Sequence, residues 1–544
     1  MPEIVLISVW LIGAWLRLLR QARFYQIEEY MSRRYLRWVL ADWRRALPLR
    51  PLAAWIAGLA IGYIRGDASG SYLPFMIALV AAAIAAVPPA AGEEKKPLVV
   101  TGRVKRLLFG AGLASAIAAA AAIWLATSID GASGAAGVAV TSSLGFAPFL
   151  LAPVWLVAGN ALMQPVEAAL RGRYLKQAAA TLDKIRPKII GITGSYGKTT
   201  TKSFLRDIMS LRYQIYATPK SYNTLMGISL AINRDLADDY RSEYFISEMG
   251  AYVEGEIARI CQLTPPDIAI VTEIGPQHLE RFGSLENIKR AKYELVSNLP
   301  ADGVAAFNWD NPYIREMAAE AYPETRLTVS RAVSLDQARA QGITWIATDL
   351  SESLSGLTFN ARHVPSGEGA RITTGIVGEH NVTNLLLCIA VACHEGIPLR
   401  DIAVRIRGLQ PAESRLVTET TAAGVTIIND AYSANPQGVA SALKVLRMHD
   451  SGKRLLITPG MVELGELQEG ENHKLGMLAA QSATDIILIG RNQTQSIYEG
   501  LRSSDFDQSR VQVLDTLDEA VSWYQQNLRA GDTVLFLNDL PDTY

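Results

Sequence analysis

The run Gly191-Ile192-Thr193-Gly194-Ser195-Tyr196-Gly197-Lys198-Thr199-Thr200-Thr201-Lys202 sets a lysine and three hydroxyls directly behind a glycine-rich turn. These residue types in this order suit the holding of phosphate. Gly194 and Gly197 let the backbone N–H groups around Ser195 approach anionic oxygens, and a helix beginning at Lys198 adds its partial positive charge. Lys198 can reach terminal phosphates, the Thr199 hydroxyl can ligate Mg²⁺, and Thr200 lies beside it. The spacing departs from the strict G-x-x-x-x-G-K-[ST] form, because Ile192 takes the first glycine position. Context decides against a chance glycine turn: Lys188-Ile189-Ile190 reads as a buried strand and Ser203–Met209 has helical periodicity.

Other candidates follow along the chain. Tyr244–Ala251 reads as a buried strand whose carboxylate, Glu248, falls where open α/β sheets bind ligands. Glu248 is therefore a candidate Mg²⁺ ligand beside Thr199; a solvent-facing strand-end acid is the plainer alternative. A second buried strand, Asp267–Gly275, leads to His278 and then to a helix carrying Lys292. Taken alone, His278 reads as a hydrogen-bonding histidine and Lys292 as a surface lysine. Asn381 and Asn384 lie one helical turn apart, so both can face one ligand; helix capping by Asn381 is the alternative. The strand Val425–Asp430 ends in an acid that belongs in a cleft. Asn223, Thr224, Tyr432 and Asn435, in polar turns beside these strands, are candidate substrate contacts.

Five stretches in order, GITGSYGKTTTK, SEMGAYVEGEI, TEIGPQHLERFGSLENIKRAKYELV, GEHNVTNLLLCIA and NDAYSANP, resemble the Mur ligase superfamily. Within it they are most similar to the members that join D-alanyl-D-alanine to a UDP-muramyl tripeptide. The resemblance covers roughly Ile189 to Gly490. It implies a central P-loop ATP-binding domain, a Rossmann-like C-terminal domain, ATP and two Mg²⁺ ions. It implies that Lys292 is open to carbamylation, which turns a cation into a metal-binding anion, with His278 holding the second metal beside it. It also places Asn381 and Asn384 at the adenine, and Arg415 and Asp430 near the nucleotide. Three departures bear on the substrate rather than on ATP. Only a short connection precedes the phosphate loop where family members carry a UDP-sugar domain. Phe536–Asp542 replaces the usual Lys-Gly-Ser-Arg, and Gly460 stands where an acid is usual.

The elements that position these residues occupy the last two-thirds of the chain. Its mean hydropathy of +0.14 comes almost wholly from the first third. Five apolar segments lie there, near Ile4–Leu16, Leu52–Ile64, Tyr72–Val87, Leu107–Ala126 and Ala136–Met163. The last two are long enough to cross about 30 Å of hydrocarbon as helices. The first two are short enough to be interfacial. Arginine-rich Arg17–Arg50, the stretch Lys95–Arg106, and Arg171–Lys176 alternate with nearly uncharged connections, so the positive-inside rule puts all three in the cytoplasm. Gln26–Trp38 reads as a helix with aromatic and arginine faces, suited to anionic lipid, to a lipid-phosphate substrate, or to simple anchoring.

A net charge of −1 gives no electrostatic ground for a nucleic-acid partner, and three cysteines supply neither a metal site nor a disulfide scaffold. The expected architecture is an α-helical transmembrane domain (1–180) followed by α/β, a P-loop central domain (181–408) and a Rossmann-like domain (409–544). The whole would be a multi-pass inner-membrane protein with cytoplasmic ligase domains. The expected activity is ATP-dependent amide formation through an acyl phosphate, on peptide or amino-acid substrates that are UDP- or lipid-linked. Two alternatives stand beside it: a membrane ligase for another envelope substrate, like polyglutamate synthases, and a non-catalytic ATP-binding scaffold.

Overall fold

A computed structural model describes residues 2–28, 30–41, 45, 48–64, 73–87, 97–127, 135–219, 222–237, 239–412, 415–431 and 435–537. The chain divides into two compact units, 1–172 and 173–541.

The first unit is helical: α1 (Pro2–Ile27), α2 (Ser32–Ala41), α3 (Leu49–Ile64), α4 (Leu73–Ala86), α5 (Gly102–Thr127), α6 (Ala135–Leu150) and the first part of α7 (Ala152–Ile185). Among the described residues, Val5–Ile27 and Gly102–Ala121 are long and apolar enough to cross a membrane. The first apolar segment is thus longer than its hydropathy suggested, because α1 continues through Arg17, Arg20 and Arg23. The last apolar stretch is not one helix: α6 and α7 meet at a 60° bend. Pro153 has no N–H to return to the carbonyl of Phe149. Arg17 supplies the missing donor, its Nη1 lying 3.0 Å from Phe149 O with the guanidinium 5.0 Å from the Phe149 ring. Trp155 Nε1 donates to Pro148 O at 3.0 Å. Gln26–Trp38 is also two helices rather than one, divided at Tyr30, whose φ of 63° is left-handed. In α2, Tyr35 and Val39 are buried while Arg33 and Arg37 are exposed.

The second unit holds two sheets. The larger runs β2 (Ile215–Ala217), β3 (Tyr244–Glu248), β1 (Lys188–Thr193), β4 (Ile268–Val271), β5 (Val304–Asn308), β6 (Thr325–Ser330), β7 (Trp345–Ser353), β8 (Gly356–His363), β9 (Gly369–Thr374). Pairing is parallel as far as β7, and β8 and β9 close the edge as antiparallel strands. Between β6 and β7 the chain forms the helix Leu335–Gln341, started by a Ser334/Gln337 capping box. The central strands are largely apolar, with polar residues at their ends, because helices cover both faces, and β1, β3 and β4 are almost wholly buried. Register sets Ile192 opposite both Glu248 and Ile270, so the tips of β1, β3 and β4 open on the same edge. β1 lies between strands reached in opposite directions, the position at which open sheets form a ligand crevice.

The smaller sheet runs β10 (Val417–Thr420), β11 (Thr426–Asp430), β15 (Thr533–Leu537), β12 (Arg454–Thr458), β13 (Asp485–Ile489), β14 (Val511–Leu514), parallel except for β10. Each sheet has its own apolar clusters on its two faces. Val377 is the described central-sheet residue that packs into those of the smaller sheet.

Candidate active site

The phosphate-loop sequence forms a sharp turn from β1 into α8 (Lys198–Met209). Gly194 has φ +148° and Gly197 φ +81°, both disfavoured for side-chain-bearing residues. A Cβ at Gly194 would stand 2.1 Å from Thr272 Oγ1, and one at Gly197 2.7 Å from Asn384 Oδ1. Ser195 Oγ ties the loop to Gly275 O at 2.9 Å. Lys198 folds over the loop, its Nζ donating to Gly194 O at 2.7 Å and Ser195 O at 3.1 Å. Burial, with Arg415 nearby and Glu248 opposing, lowers its pKa to about 8. A half-buried ammonium resting on neutral carbonyls has the geometry and the electrostatic need for an anion.

Two cavities meet at this loop. The larger, about 540 Å³, is lined by Gly197, Thr200, His380, Asn381, Asn384, Arg415, Asp430 and Asn435 among others. Asn381 and Asn384 stand at the start of α9 (His380–His394). Asn381 Nδ2 donates to Val377 O at 2.8 Å, and Asn384 Nδ2 donates to Asn381 Oδ1 at 3.1 Å. Asp430 Oδ1 accepts from Leu416 N at 3.2 Å, and burial pushes its pKa up to about 6 against the pull of Arg415. Asn435 caps α10 (Pro436–Met448) by accepting from Gly438 N at 2.9 Å.

The smaller cavity, about 140 Å³, brings Ser195, Lys198, Thr199, Asn223, Glu248, His278, Lys292 and Arg415 together. Glu248 is its buried carboxylate. Oε1 accepts from Thr199 Oγ1 at 3.2 Å and Asn223 Nδ2 at 3.2 Å, and Oε2 lies 2.9 Å from Lys202 Nζ. Burial alone would raise the Glu248 pKa, but Lys202 and Lys198 pull it below the ordinary carboxylate value. Lys292, on the helix Leu285–Ser297, is not a surface lysine; it is 3 % exposed. Its Nζ lies 3.5 Å from Ala251 O and 5.7 Å from the Phe282 ring. Desolvation and the nearby Lys198 charge lower its pKa to about 7. His278 has its Nδ1 on Glu463 and its ring edge-on to Tyr252 at 4.7 Å. Burial lowers its pKa, with Glu463 opposing.

A nucleotide with Mg²⁺ fits these donors. The glycine cradle leaves no room for side chains, and the adjoining 540 Å³ suits a nucleoside. Among the described residues no three His, Cys, Asp or Glu side chains form a metal cage. A divalent cation here would take Thr199, Glu248 and phosphate oxygens as ligands, in the way Mg²⁺ commonly binds nucleotides.

Thr224 is not brought to either cavity; its hydroxyl caps the helix Leu225–Ala231 by accepting from Gly227 N at 3.2 Å. Tyr432 lies outside the described residues. The structure adds residues that sequence reasoning missed. Lys202 could have been found, since it follows Lys198 at i+4 on one helix face. His380, its pKa lowered to about 4 by burial, adjoins Asn381 in the sequence. Tyr196 lines both cavities, and Glu463 arrives from a loop with no local signal.

The parallel sheet with its phosphate loop, faced by a second α/β sheet that supplies Asp430 and Glu463, defines a two-lobed P-loop nucleotide-using enzyme. Residues 192–392 match the Mur ligase middle domain, and residues 414–538 match the domain described as Mur ligase, glutamate ligase domain. The UDP-N-acetylmuramoyl-tripeptide--D-alanyl-D-alanine ligase of Bacillus subtilis is 30% identical over 360 residues, covering 66% of this chain and 74% of the relative. The enzyme of that name from Mycobacterium tuberculosis is 30% identical over 434 residues, covering 74% and 82%. The structure of MurF from Acinetobacter baumannii superposes with a TM-score of 0.58 at 26% identity, covering 69% of this chain and 78% of that one. The chain belongs to the Mur ligase family, and it is an ATP-dependent amide ligase.

Replacing Gly194 by Ala puts a methyl group against Thr272 Oγ1 and a side chain at φ +148°. Equilibrium binding of a fluorescent ATP analogue should fall at least about tenfold, since displacing the cradle costs on the order of 1–3 kcal/mol. Unchanged affinity would mean that the loop does not hold the phosphates.

Proposed function

We propose that this protein joins D-alanyl-D-alanine, or a closely related amine, to the terminal carboxylate of a muramyl-peptide precursor, and does so at a membrane. The observation that carries the reading is the small cavity, which gathers Lys198, Thr199, Glu248, His278 and Lys292 at the phosphate loop. The substrate assignment rests on the names of the relatives.

Transfer of the γ-phosphoryl group to a carboxylate brings two anions together, so the barrier is chiefly electrostatic. Lys198 and the N-terminus of α8 hold the terminal phosphates. Arg415 reaches both cavities and adds positive charge where they meet. Thr199 with Glu248, and His278 with Lys292, are the residues that would hold two Mg²⁺ ions. The metals would supply charge neutralisation for the transferring group. The neutral amine then attacks the acyl carbon, the C–O bond to phosphate breaks, and inorganic phosphate leaves as the amide nitrogen gives up a proton; the second sheet, through Asp430 and Glu463, excludes water that would hydrolyse the acyl phosphate instead. Asn381 and Asn384 orient the nucleobase end, and Asn223 and Asn435 border the substrate space.

Lys292 fits the carbamate role. With a pKa near 7 its amine is largely neutral at physiological pH, the form that adds to CO₂. Protein equilibrated with ¹³C-bicarbonate at pH 8 should show one carbamate resonance that is absent from Lys292→Arg. The resonance should fade as the pH falls through 7 and the amine protonates. A spectrum with no such resonance at pH 8 would remove carbamylation from the reading.

The membrane proposal is supported by the helical unit, where Ile12, Ile56, Val80, Phe109, Ile117 and Trp124 are exposed. An outward apolar surface of this extent is costly in water. The protein should sediment with inner membranes, resist extraction by alkaline carbonate and come off in detergent; release by carbonate alone would count against spanning helices.

The main test is phosphate release by the detergent-solubilised full chain with UDP-muramyl tripeptide and D-alanyl-D-alanine. Lys198→Ala should lower turnover at least about a hundredfold, the scale of losing one transition-state charge contact. Turnover confined to lipid-linked precursors or single amino acids would move the substrate assignment to another envelope ligase.

A further inference from the structure

His278 is held from a direction that the central sheet does not provide. The Nδ1 partner is Glu463, in the loop after β12 of the smaller sheet. Both residues carry a left-handed backbone without being glycine, His278 at φ 55° and Glu463 at φ 61°. Such conformations are strained for residues that carry a side chain and persist where surrounding structure enforces them. The two loops also approach closely: a Cβ on Gly465 would lie 3.5 Å from Glu280 N. Arg281 Nη2 stands 3.7 Å from the other oxygen of Glu463, and its guanidinium lies 4.3 Å from the ring of Tyr252, which in turn packs against His278. Glu463, His278, Arg281 and Tyr252 thus form one cluster, of which His278 and Tyr252 line the small cavity; three come from the central sheet's side and one from the other sheet's.

A carboxylate on Nδ1 has a definite consequence for a histidine. The ring donates Nδ1–H, so the neutral tautomer leaves the Nε2 lone pair for a ligand. Histidines that bind metals commonly have such a carboxylate or carbonyl behind them. We propose that Glu463 is a positioning residue that fixes the tautomer and ring angle of His278, so that the divalent-cation site on the central sheet is complete only while the smaller sheet lies against it. The proposal rests on the metal reading of His278 given above and extends it. Cation binding and the approach of the two sheets are then linked, and each favours the other by the same factor.

The test is Mn²⁺ binding to the full-length protein in detergent with ADP present, free Mn²⁺ being read by electron paramagnetic resonance. His278→Ala defines which class of site depends on the histidine. Glu463→Ala should weaken that class by about 10–100-fold, the usual effect of removing such a partner. Glu463→Gln, whose amide oxygen still accepts from Nδ1–H, should lose less, and this intermediate value separates positioning from misfolding. The double variant should bind no more weakly than His278→Ala alone, because the two residues act through one ring. Wild-type Mn²⁺ affinity in Glu463→Ala, with His278→Ala impaired, would overturn the proposal and leave the metal site standing. Wild-type affinity in His278→Ala would remove the metal from His278 and the proposal with it.

Discussion

The site is organised by amines that are costly to keep charged. Lys198, half-buried, and Lys292, buried, line one small cavity, and Glu248, its buried carboxylate, is already paired with Lys202. Desolvation lowers the pKa of both lysines; Arg415 adds to the lowering at Lys198, and the Lys198 charge adds to it at Lys292. Folding alone gives no reason to keep two such groups together; a polyanion entering the cavity meets the charge of Lys198, while Lys292 is held as a largely neutral amine. The glycine conformations at 194 and 197, the register that sets Ile192 opposite Glu248, and the burial of β1 all place that charge at one strand tip.

Around this centre the chain divides its work. The central sheet supplies the phosphate loop, the carboxylate and both lysines, all on or next to β1 and β3 or on the helix covering them. The smaller sheet supplies Asp430 to the larger cavity and Glu463 to His278. Further polar contacts join the sheets: Lys444 with Glu379 and, at 3.1 Å, with Glu352, and Gln437 with Glu273 at 3.4 Å. Burial raises the Glu273 pKa to about 7, so this contact joins a carboxyl near its titration point to an amide.

Residues whose placement depends on local sequence were readable in advance. A glycine turn followed by Lys198 and Thr199 announces its conformation, and Glu248 sits at the end of an apolar run that could only be a buried strand. Asn381 and Asn384 share a helix face by spacing alone. Long-range pairings were not readable. Lys292 looks like a surface lysine in a helix rich in charge, and only the packing of that helix on β1 and β4 buries it. Glu463 touches His278 across 185 positions of sequence. In the first third, hydropathy located the apolar helices but missed two breaks. One depends on Pro153 leaving the Phe149 carbonyl to Arg17, the other on a left-handed Tyr30. Neither changes the average polarity of the stretch that contains it.

The separateness of the two cores has a consequence for the rhythm of the reaction. A ligase has to admit three substrates and let three products go in every cycle. If the lobes shared one hydrophobic core, each parting would expose apolar surface at roughly 25 cal/mol for every Å². Here the apolar clusters stay within their own sheets, with Val377 as the described exception from the central side, and much of the seam is made of charged and amide groups that water can solvate. The lobes can therefore part at modest cost, and the grip on the substrates is left to the substrates' own charges.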